Sequence, residues 1–155
     1  MEYSAPAQVV SLIRASVLRI RTALWLLPQI SIGQERNEAA RLLVEAVDIR
    51  QILLNTLPPD TPYIGLTDQK LIELVEEIIE EDGRSNCILI YNLDLLLSRL
   101  KQQEINFFWH HIFESMPHRS RALFLCIPAS AVDVLPSEEL QLQLSREKRI
   151  SNSTA

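Results

Sequence analysis

The chain has 155 residues, a length that fits one domain with a substantial buried core. Hydrophobic residues make up 47% and charged residues 23%, as in ordinary globular proteins, and the formal net charge is −5. Because binders of the phosphate backbone need clustered Lys and Arg, this balance argues against direct nucleic-acid binding.

The sequence indicates neither export nor a membrane partner. Arg14, Arg19 and Arg21 interrupt the apolar stretch that a signal peptide requires. No apolar run approaches the ~20 residues of a membrane-spanning helix. Cys87 and Cys126 each lie inside an apolar run, which is typical of buried thiols in a reducing compartment. We therefore expect a cytoplasmic protein.

The first half of the chain predicts two helices and two strands. A helix with apolar residues at helical spacing begins near Ser4, a good capping residue. The apolar run 23–27 favours a buried strand and is followed by a loop at 29–34. A second helical pattern covers 35–54, and 63–66 is a candidate second strand.

The clearest helix of the chain follows Thr67, which is placed to cap it, and ends near Gly83. The remaining predicted elements are strands at 87–93, 122–127 and 150–151 and helices at 104–116 and 137–146. Continuous apolar strands that alternate with helices are typical of a parallel sheet covered on both faces. We predict one three-layer α/β domain over residues 1–150, with a short, mostly parallel sheet of four or five strands. Residues 151–155 are expected to form a frayed tail.

The strand at 87–93 carries the main chemical signal, because it ends in an amide and a carboxylate. Ligands of α/β proteins bind beyond the carboxyl ends of parallel strands, where Asn92 and Asp94 are placed. Asp94 is in a position either to reach a metal ion or to cap the following Leu-rich turn. Both readings stay open at this point.

The other polar residues predict neither a catalytic nor a metal site. His110 and His111 are adjacent on a helix and point about 100° apart, so they do not share a metal ion easily. Both cysteines lie in apolar strands, which suppresses thiolate formation. The basic turn 117–121 is expected to be solvated, with contact to an acidic partner or a phosphate as the alternative.

One helix carries a candidate partner surface. Phe107 falls off the inward stripe of its helix and is expected to be exposed. It follows the Leu-rich segment 95–97, so Phe107 and Leu96 are predicted to contact a protein partner. The acidic face of the helix that follows Thr67 is the alternative interface.

The order of these elements resembles the P-loop ATPases of the AAA and STAND type over residues 20–130. The segment 88–96 looks like the acidic motif h-h-h-D-x-h-D-x-L with its first Asp lost. In that likeness Tyr91 stands in the place of the metal-holding Asp, and Asn92 stands where the catalytic acid often follows. Neither side chain carries charge near neutral pH. The segment 122–128 is similar to the sensor strand of that fold, without its polar end.

The phosphate loop of those ATPases has no counterpart here. The motif needs G-x-x-x-x-G-K-[ST], whereas residues 28–36 contain one glycine and no lysine. Glu35 would face any phosphate with like charge, and Arg36 is the one substitute for the missing lysine. We therefore expect no cofactor. If ATP and Mg²⁺ did bind, Arg36, Asn92 and Asp94 would be the residues involved.

The chain is also similar in size and layout to small P-loop proteins of bacterial phage-defence operons of the BREX kind. That resemblance implies antiviral defence alongside larger enzymes. The favoured hypothesis is a non-catalytic subunit that binds a protein partner. The alternatives are a residual nucleotide-binding switch or weak ATPase completed by a partner, and an α/β adaptor unrelated to ATPases. Antiparallel pairing between the strands at 87–93 and 122–127 would favour the unrelated adaptor.

Overall fold

Five strands form one central sheet in which every pair is parallel. The computed structural model describes residues 1–15, 18–57, 65–81, 85–116 and 121–155. Within them the strands are β1 (Thr22–Leu27), β2 (Glu45–Asp48), β3 (Cys87–Tyr91), β4 (Ala122–Pro128) and β5 (Ile150–Ser151). Their order across the sheet is β2-β3-β4-β1-β5. The prediction of a three-layer α/β domain with a short parallel sheet is confirmed.

Helices cover both faces of the sheet. They are α1 (Pro6–Arg14), α2 (Glu35–Arg41), α3 (Ile49–Thr56), α4 (Asp68–Glu80), α5 (Leu93–Leu97), α6 (Gln102–His110) and α7 (Glu138–Arg146). A π-helical turn at His111–Ser115 extends α6, and 3₁₀ turns at Gln29–Ser31 and Val132–Val134 follow β1 and β4. In the described part of the chain, no helix combines the length and the apolar character needed to cross a membrane.

The strands are apolar throughout because both of their faces are buried. In β1, Leu24 and Leu26 pack into a core with α4, α6 and α7, whereas Ala23, Trp25 and Leu27 face α1 and α2. The residues of β3 and β4 alternate between the same two cores. This arrangement explains why the sequence shows continuous runs rather than the alternation of a half-exposed sheet.

The predicted helix over 35–54 is wrong, because the segment divides into α2, β2 and α3. Helix α2 ends at Arg41 and is followed by Leu43, which has a left-handed backbone with φ of +58°. The amides of Leu43 and Val44 donate to the carbonyls of Ala40 and Ala39, as in a Schellman motif. Leucine here occupies a position that glycine usually fills, so the sequence carried no signal for the helix end.

The second predicted strand, at 63–66, is not part of the sheet where it can be followed. Tyr63 and Ile64 lie outside the described residues, as does Gly83, the predicted end of α4. Gly65 and Leu66 are irregular. The strand that pairs with β3 at this edge is β2 instead.

The C-terminal segment contacts the body of the domain. The predicted strand at 150–151 is confirmed and pairs with Leu24 and Trp25 of β1. Beyond it, in the segment expected to be frayed, the Trp25 indole N–H donates to the Ser153 carbonyl at 2.8 Å. The amide of Ala155 donates to the Glu38 carboxylate at 2.8 Å.

Three buried arginines hold the amino edge of the sheet, where the strands begin and helices α1, α4 and α6 end. Arg21 donates to carbonyls at the end of α1, and Arg149 donates to the Phe113 carbonyl in the π-helical turn. Arg121 donates to carbonyls at the end of α4. Each guanidinium therefore satisfies helix C-terminal carbonyls and the negative end of the helix dipole.

Arg121 is the described member of the basic turn predicted at 117–121, and residues 117–120 lie outside the described ones. Its side chain is buried, and it also donates to the Ser85 carbonyl at 2.9 Å and pairs with Glu45. The expectation that this arginine is solvated is therefore wrong. Its sequence position, directly before an apolar strand, already put it at the border of the core.

Candidate functional site

The sheet has a topological switch point between β1 and β4, which are neighbours. The connection that leaves β1 runs over the face covered by α1 and α2, because α2 contributes to that core. The connection that leaves β4 runs over the opposite face, because α7 packs with α4 and α6 there. Ligands of open α/β sheets bind at such a point, beyond the carboxyl ends of the strands. This carboxyl edge is therefore the candidate site.

Four amides of the loop between β1 and α2 donate to acceptors inside the protein. The amides of Ser31, Ile32 and Gln34 donate to the carbonyls of Pro28, Gln29 and Ser31 at 2.9, 3.2 and 2.9 Å, respectively. The fourth amide, of Gly33, donates to the Glu35 carboxylate at 3.2 Å. Four consecutive N–H groups are thus satisfied inside the protein, in the place where a phosphate loop would turn them toward a nucleotide.

Gly33 serves the turn rather than a ligand. Its φ is +85°, a left-handed conformation that glycine adopts at little cost. A Cβ atom built on it would meet nothing within 4 Å. The glycine is therefore explained by backbone conformation, and no close approach of another group requires it.

Arg36 crosses the switch point and reaches the end of β3. Its guanidinium carbon lies 5.7 Å from the centroid of the Tyr91 ring, within cation–π range. Because β4 lies between β1 and β3, this contact shows that the start of α2 extends over the end of β4. Asn92 follows with φ of +64°, a left-handed conformation that Asn tolerates, and its side chain does not cap α5.

Asp94 lies in the first turn of α5 and is half-buried. Burial raises the pKa of this carboxyl, backbone hydrogen bonds from Asp94 and Leu95 lower it, and the charge of Glu35 raises it further. Asn92 occupies the N-cap position without a side-chain cap bond, and Asp94 instead accepts from the first-turn amides, as the capping interpretation of the sequence expected in part. Asp94, after β3, and Glu35, after β1, thus place two interacting carboxylates at this edge.

The pKa values of the two cysteine thiols are affected by charges of opposite sign. Burial raises the pKa of Cys126, near the carboxyl edge, and Glu35, Asp94 and Glu38 raise it further. Burial also raises the pKa of Cys87, at the amino edge, to about 11, but there Arg14, Arg21 and Arg121 act to lower it. The charged groups that act on Cys126 near the carboxyl edge are therefore acids, whereas those that act on Cys87 at the amino edge are arginines.

The predicted partner residues have different environments. Phe107 is 55% exposed on α6, as its position off the inward stripe predicted. Leu96 is only 4% exposed and belongs to the core that α4, α6 and α7 share, so it is not available to a partner in this structure. Its neighbour Leu95 is the exposed leucine of α5.

Four exposed aliphatic side chains follow the carboxyl ends of three neighbouring strands. Ile30 and Ile32, in the loop after β1, are 82% and 43% exposed. Leu95 in α5, after β3, is 43% exposed, and Val132 in the 3₁₀ turn after β4 is 70% exposed. We call these four residues the carboxyl-edge patch. The sequence analysis missed Ile30, Ile32 and Val132, because loop residues show no periodicity that distinguishes an outward side chain from an inward one.

The chemistry available at this edge does not fit a nucleotide. The amides of residues 31–34 are occupied, Glu35 and Asp94 repel phosphate, and Arg36 lies over the Tyr91 ring. Among the described residues, no group of three or more His, Cys, Asp or Glu side chains is placed to hold a metal ion. Both cysteine thiols are buried and have raised pKa values, which argues against nucleophilic catalysis by either.

Comparison with known proteins adds no assignment. No family model matches the sequence, and neither a curated protein nor a solved structure matches it significantly. The argument for function therefore depends on the geometry of the carboxyl edge.

Proposed function

We propose that this protein is a non-catalytic subunit that binds a protein partner through a P-loop-like α/β domain. The observation that carries the proposal is the closed loop after β1, in which the amides of residues 31–34 all donate within the protein. A nucleotide would have to break these hydrogen bonds and displace the Glu35 carboxylate before it could bind the amides of residues 31–34.

The charges at the switch point support the same conclusion. The resemblance places a metal-holding Asp and a catalytic acid at the end of this strand, and here Tyr91 and Asn92 occupy those positions. Arg36 is held over the Tyr91 ring, and the buried Arg21, Arg121 and Arg149 bind helix carbonyls at the opposite edge. The domain thus keeps a nucleotide-type layout and uses these side chains for structure.

The carboxyl-edge patch supports partner binding more directly. Isolated exposed aliphatic residues are normal, but four that follow the carboxyl ends of three neighbouring strands favour an interaction site at this edge. The resemblance to small proteins of BREX-type operons suggests an assembly in bacterial antiviral defence. A cytoplasmic location fits such an assembly and the two buried, unpaired thiols.

A calorimetric titration with ATP and Mg²⁺ tests the proposal. We expect no saturable binding to the wild-type chain and no difference between it and Asp94→Ala. The matched control is Asp133→Ala, which removes an exposed acid from the neighbouring 3₁₀ turn. Micromolar affinity that is lost in Asp94→Ala and kept in Asp133→Ala would overturn the proposal.

A residual nucleotide switch is the second candidate, because Arg36 does reach the end of β3 next to Asn92 and Asp94. In that case a partner would supply the missing groups, and assembly with the purified partner would depend on nucleotide. Equal assembly with and without nucleotide would refute the switch. An unrelated adaptor is less favoured, since β3 and β4 pair in parallel rather than antiparallel.

A further inference from the structure

We propose that the carboxyl-edge patch docks a segment of a partner protein that carries an apolar anchor flanked by Lys or Arg. This inference depends on the proposed partner-binding function and names the surface and the chemistry of the partner. It stands on three observations: the convergence of the loops, the exposure of their apolar side chains and the charge that surrounds them.

The loops converge because the strands that carry them are adjacent. Strands β3, β4 and β1 are neighbours, and strands in a sheet lie about 4.8 Å apart, so the ends of β3 and β1 are separated by about 10 Å. The Arg36–Tyr91 contact at 5.7 Å bridges that gap from α2 to β3. The loops that carry Ile30, Val132 and Leu95 therefore start within about 10 Å of one another.

The patch is apolar and its surroundings are acidic. Glu35, Asp94 and Asp133 lie on the same three loops as the patch. Arg36, whose exposed guanidinium lies over the Tyr91 ring, adds one positive charge to these three acids. The acids at this edge also act on Cys126, whose pKa they raise. A basic segment would relieve the repulsion between Glu35 and Asp94, whereas an acidic segment would add to it.

The choice of occupant follows from that charge. A second copy of this chain would bring a second set of the same acids to the interface, because a two-fold contact places identical surfaces against each other. A phosphorylated or acidic segment would meet the same repulsion. An apolar anchor with basic neighbours matches both the aliphatic surface and the acidic rim.

The test uses a displayed library of random peptides of about 12 residues as the probe. The library is selected on the wild-type chain and counter-selected on the double variant Ile30→Glu/Val132→Glu. Both side chains are exposed, so the double variant is expected to keep the thermal unfolding curve of the wild type. Leu43→Glu is the control. Leu43 is 78% exposed and lies just before β2, at the amino edge of the sheet, whereas the patch lies at the carboxyl edge.

We expect the selected peptides to share an apolar residue flanked by Lys or Arg. Synthetic versions should bind the double variant at least about tenfold more weakly than they bind the wild type. Their affinity for Leu43→Glu should equal their affinity for the wild type. Affinity should also fall in Glu35→Gln/Asp94→Asn, and on raising salt from about 50 to about 300 mM. A ¹³C-methyl spectrum should show shifts confined to Ile30, Ile32, Leu95, Val132 and their neighbours.

Three results would overturn the inference. They are selected peptides that are acidic or uncharged, peptides that bind the double variant as well as the wild type, and a wild-type dimer that the double variant converts to monomer. None of these results requires nucleotide binding, so the proposed function would survive them in its general form. Competition between Mg-ATP and a selected peptide would instead count against the proposed function itself.

Discussion

Replacing Arg121 with methionine should cost a large part of the free energy of unfolding. The guanidinium Nη1 donates to the carbonyls of Ile78 and Glu81 at 3.3 and 2.7 Å, and Nε donates to the Ser85 carbonyl at 2.9 Å. Methionine keeps the apolar stem but leaves all three carbonyl oxygens without this donor. A buried acceptor that loses its donor costs about 1–3 kcal/mol, so the loss at these carbonyls should total about 3–5 kcal/mol. A domain of this kind is stable by only about 5–15 kcal/mol.

The matched variant is Glu45→Gln, which removes the carboxylate that pairs with Arg121. The Glu45 side chain is 42% exposed, so this change should cost less than about 1 kcal/mol. Urea denaturation followed by circular dichroism measures both. At about 2–4 °C per kcal/mol, Arg121→Met should also lower Tm by about 6–20 °C. Equal losses in the two variants would refute the reasoning, because the ion pair and not the carbonyl contacts would then carry the stability.

Three further predictions concern stability and reactivity. Because burial raises the pKa of Asp94 in the folded state, the folded state binds that proton more tightly than the unfolded chain, and stability is lost as the pH rises through the folded pKa. Asp94→Asn should therefore raise the free energy of unfolding near neutral pH. The gain should be less than about 1 kcal/mol, because solvent screens a half-exposed group. A gain that persists under acid conditions would contradict this reasoning. Leu43→Gly should raise the free energy of unfolding, measured by urea denaturation, by about 0.5 kcal/mol, because φ is +58° and the side chain is exposed. A lower free energy of unfolding would show that the leucine side chain contributes packing. Cys87, with a pKa of about 11, should resist alkylation in the folded protein and react on unfolding, and rapid labelling of the native chain, read by mass spectrometry, would show that the thiol is accessible.

The strands that are buried on both faces could be predicted from the sequence. β1, β3 and β4 are covered on both faces, so each is a continuous apolar run. β2 is an edge strand of four residues, Glu45–Asp48, with polar residues at both ends and partial exposure throughout. The apolar residues of the flanking segments, α2 and α3, recur at helical spacing. The turn before β2 has Leu43 in a left-handed conformation, where glycine is usual. No local signal distinguished this strand from a continuing helix.

The candidate site was predicted in part. The sequence pointed to the end of β3, and the structure places Arg36, Asn92 and Asp94 around it. The occupied amides could not be foreseen, because they depend on the path of the loop and on the rotamer of Glu35. The exposed leucine of α5 was misassigned by one residue, since Leu95, Leu96 and Leu97 look alike in sequence and differ only in the direction that the short helix gives them.

The charges around the two cysteines were also invisible in the composition. The net charge of −5 gave no indication that arginines lie near Cys87 at the amino edge and acidic side chains near Cys126 toward the carboxyl edge. The arginines have a structural role, because helices α1, α4 and α6 end at the amino edge and their terminal carbonyls bind Arg21, Arg121 and Arg149.

The most direct test of the central claim is an ¹⁵N–¹H spectrum of the chain, recorded as Mg-ATP is added up to about millimolar concentration. The amides of Ser31, Ile32, Gly33 and Gln34 report on the loop that would have to open to hold a phosphate. We predict that these four signals do not move. A saturable shift of the four, with Gly33 released from Glu35, would contradict the claim that this loop is closed to nucleotide.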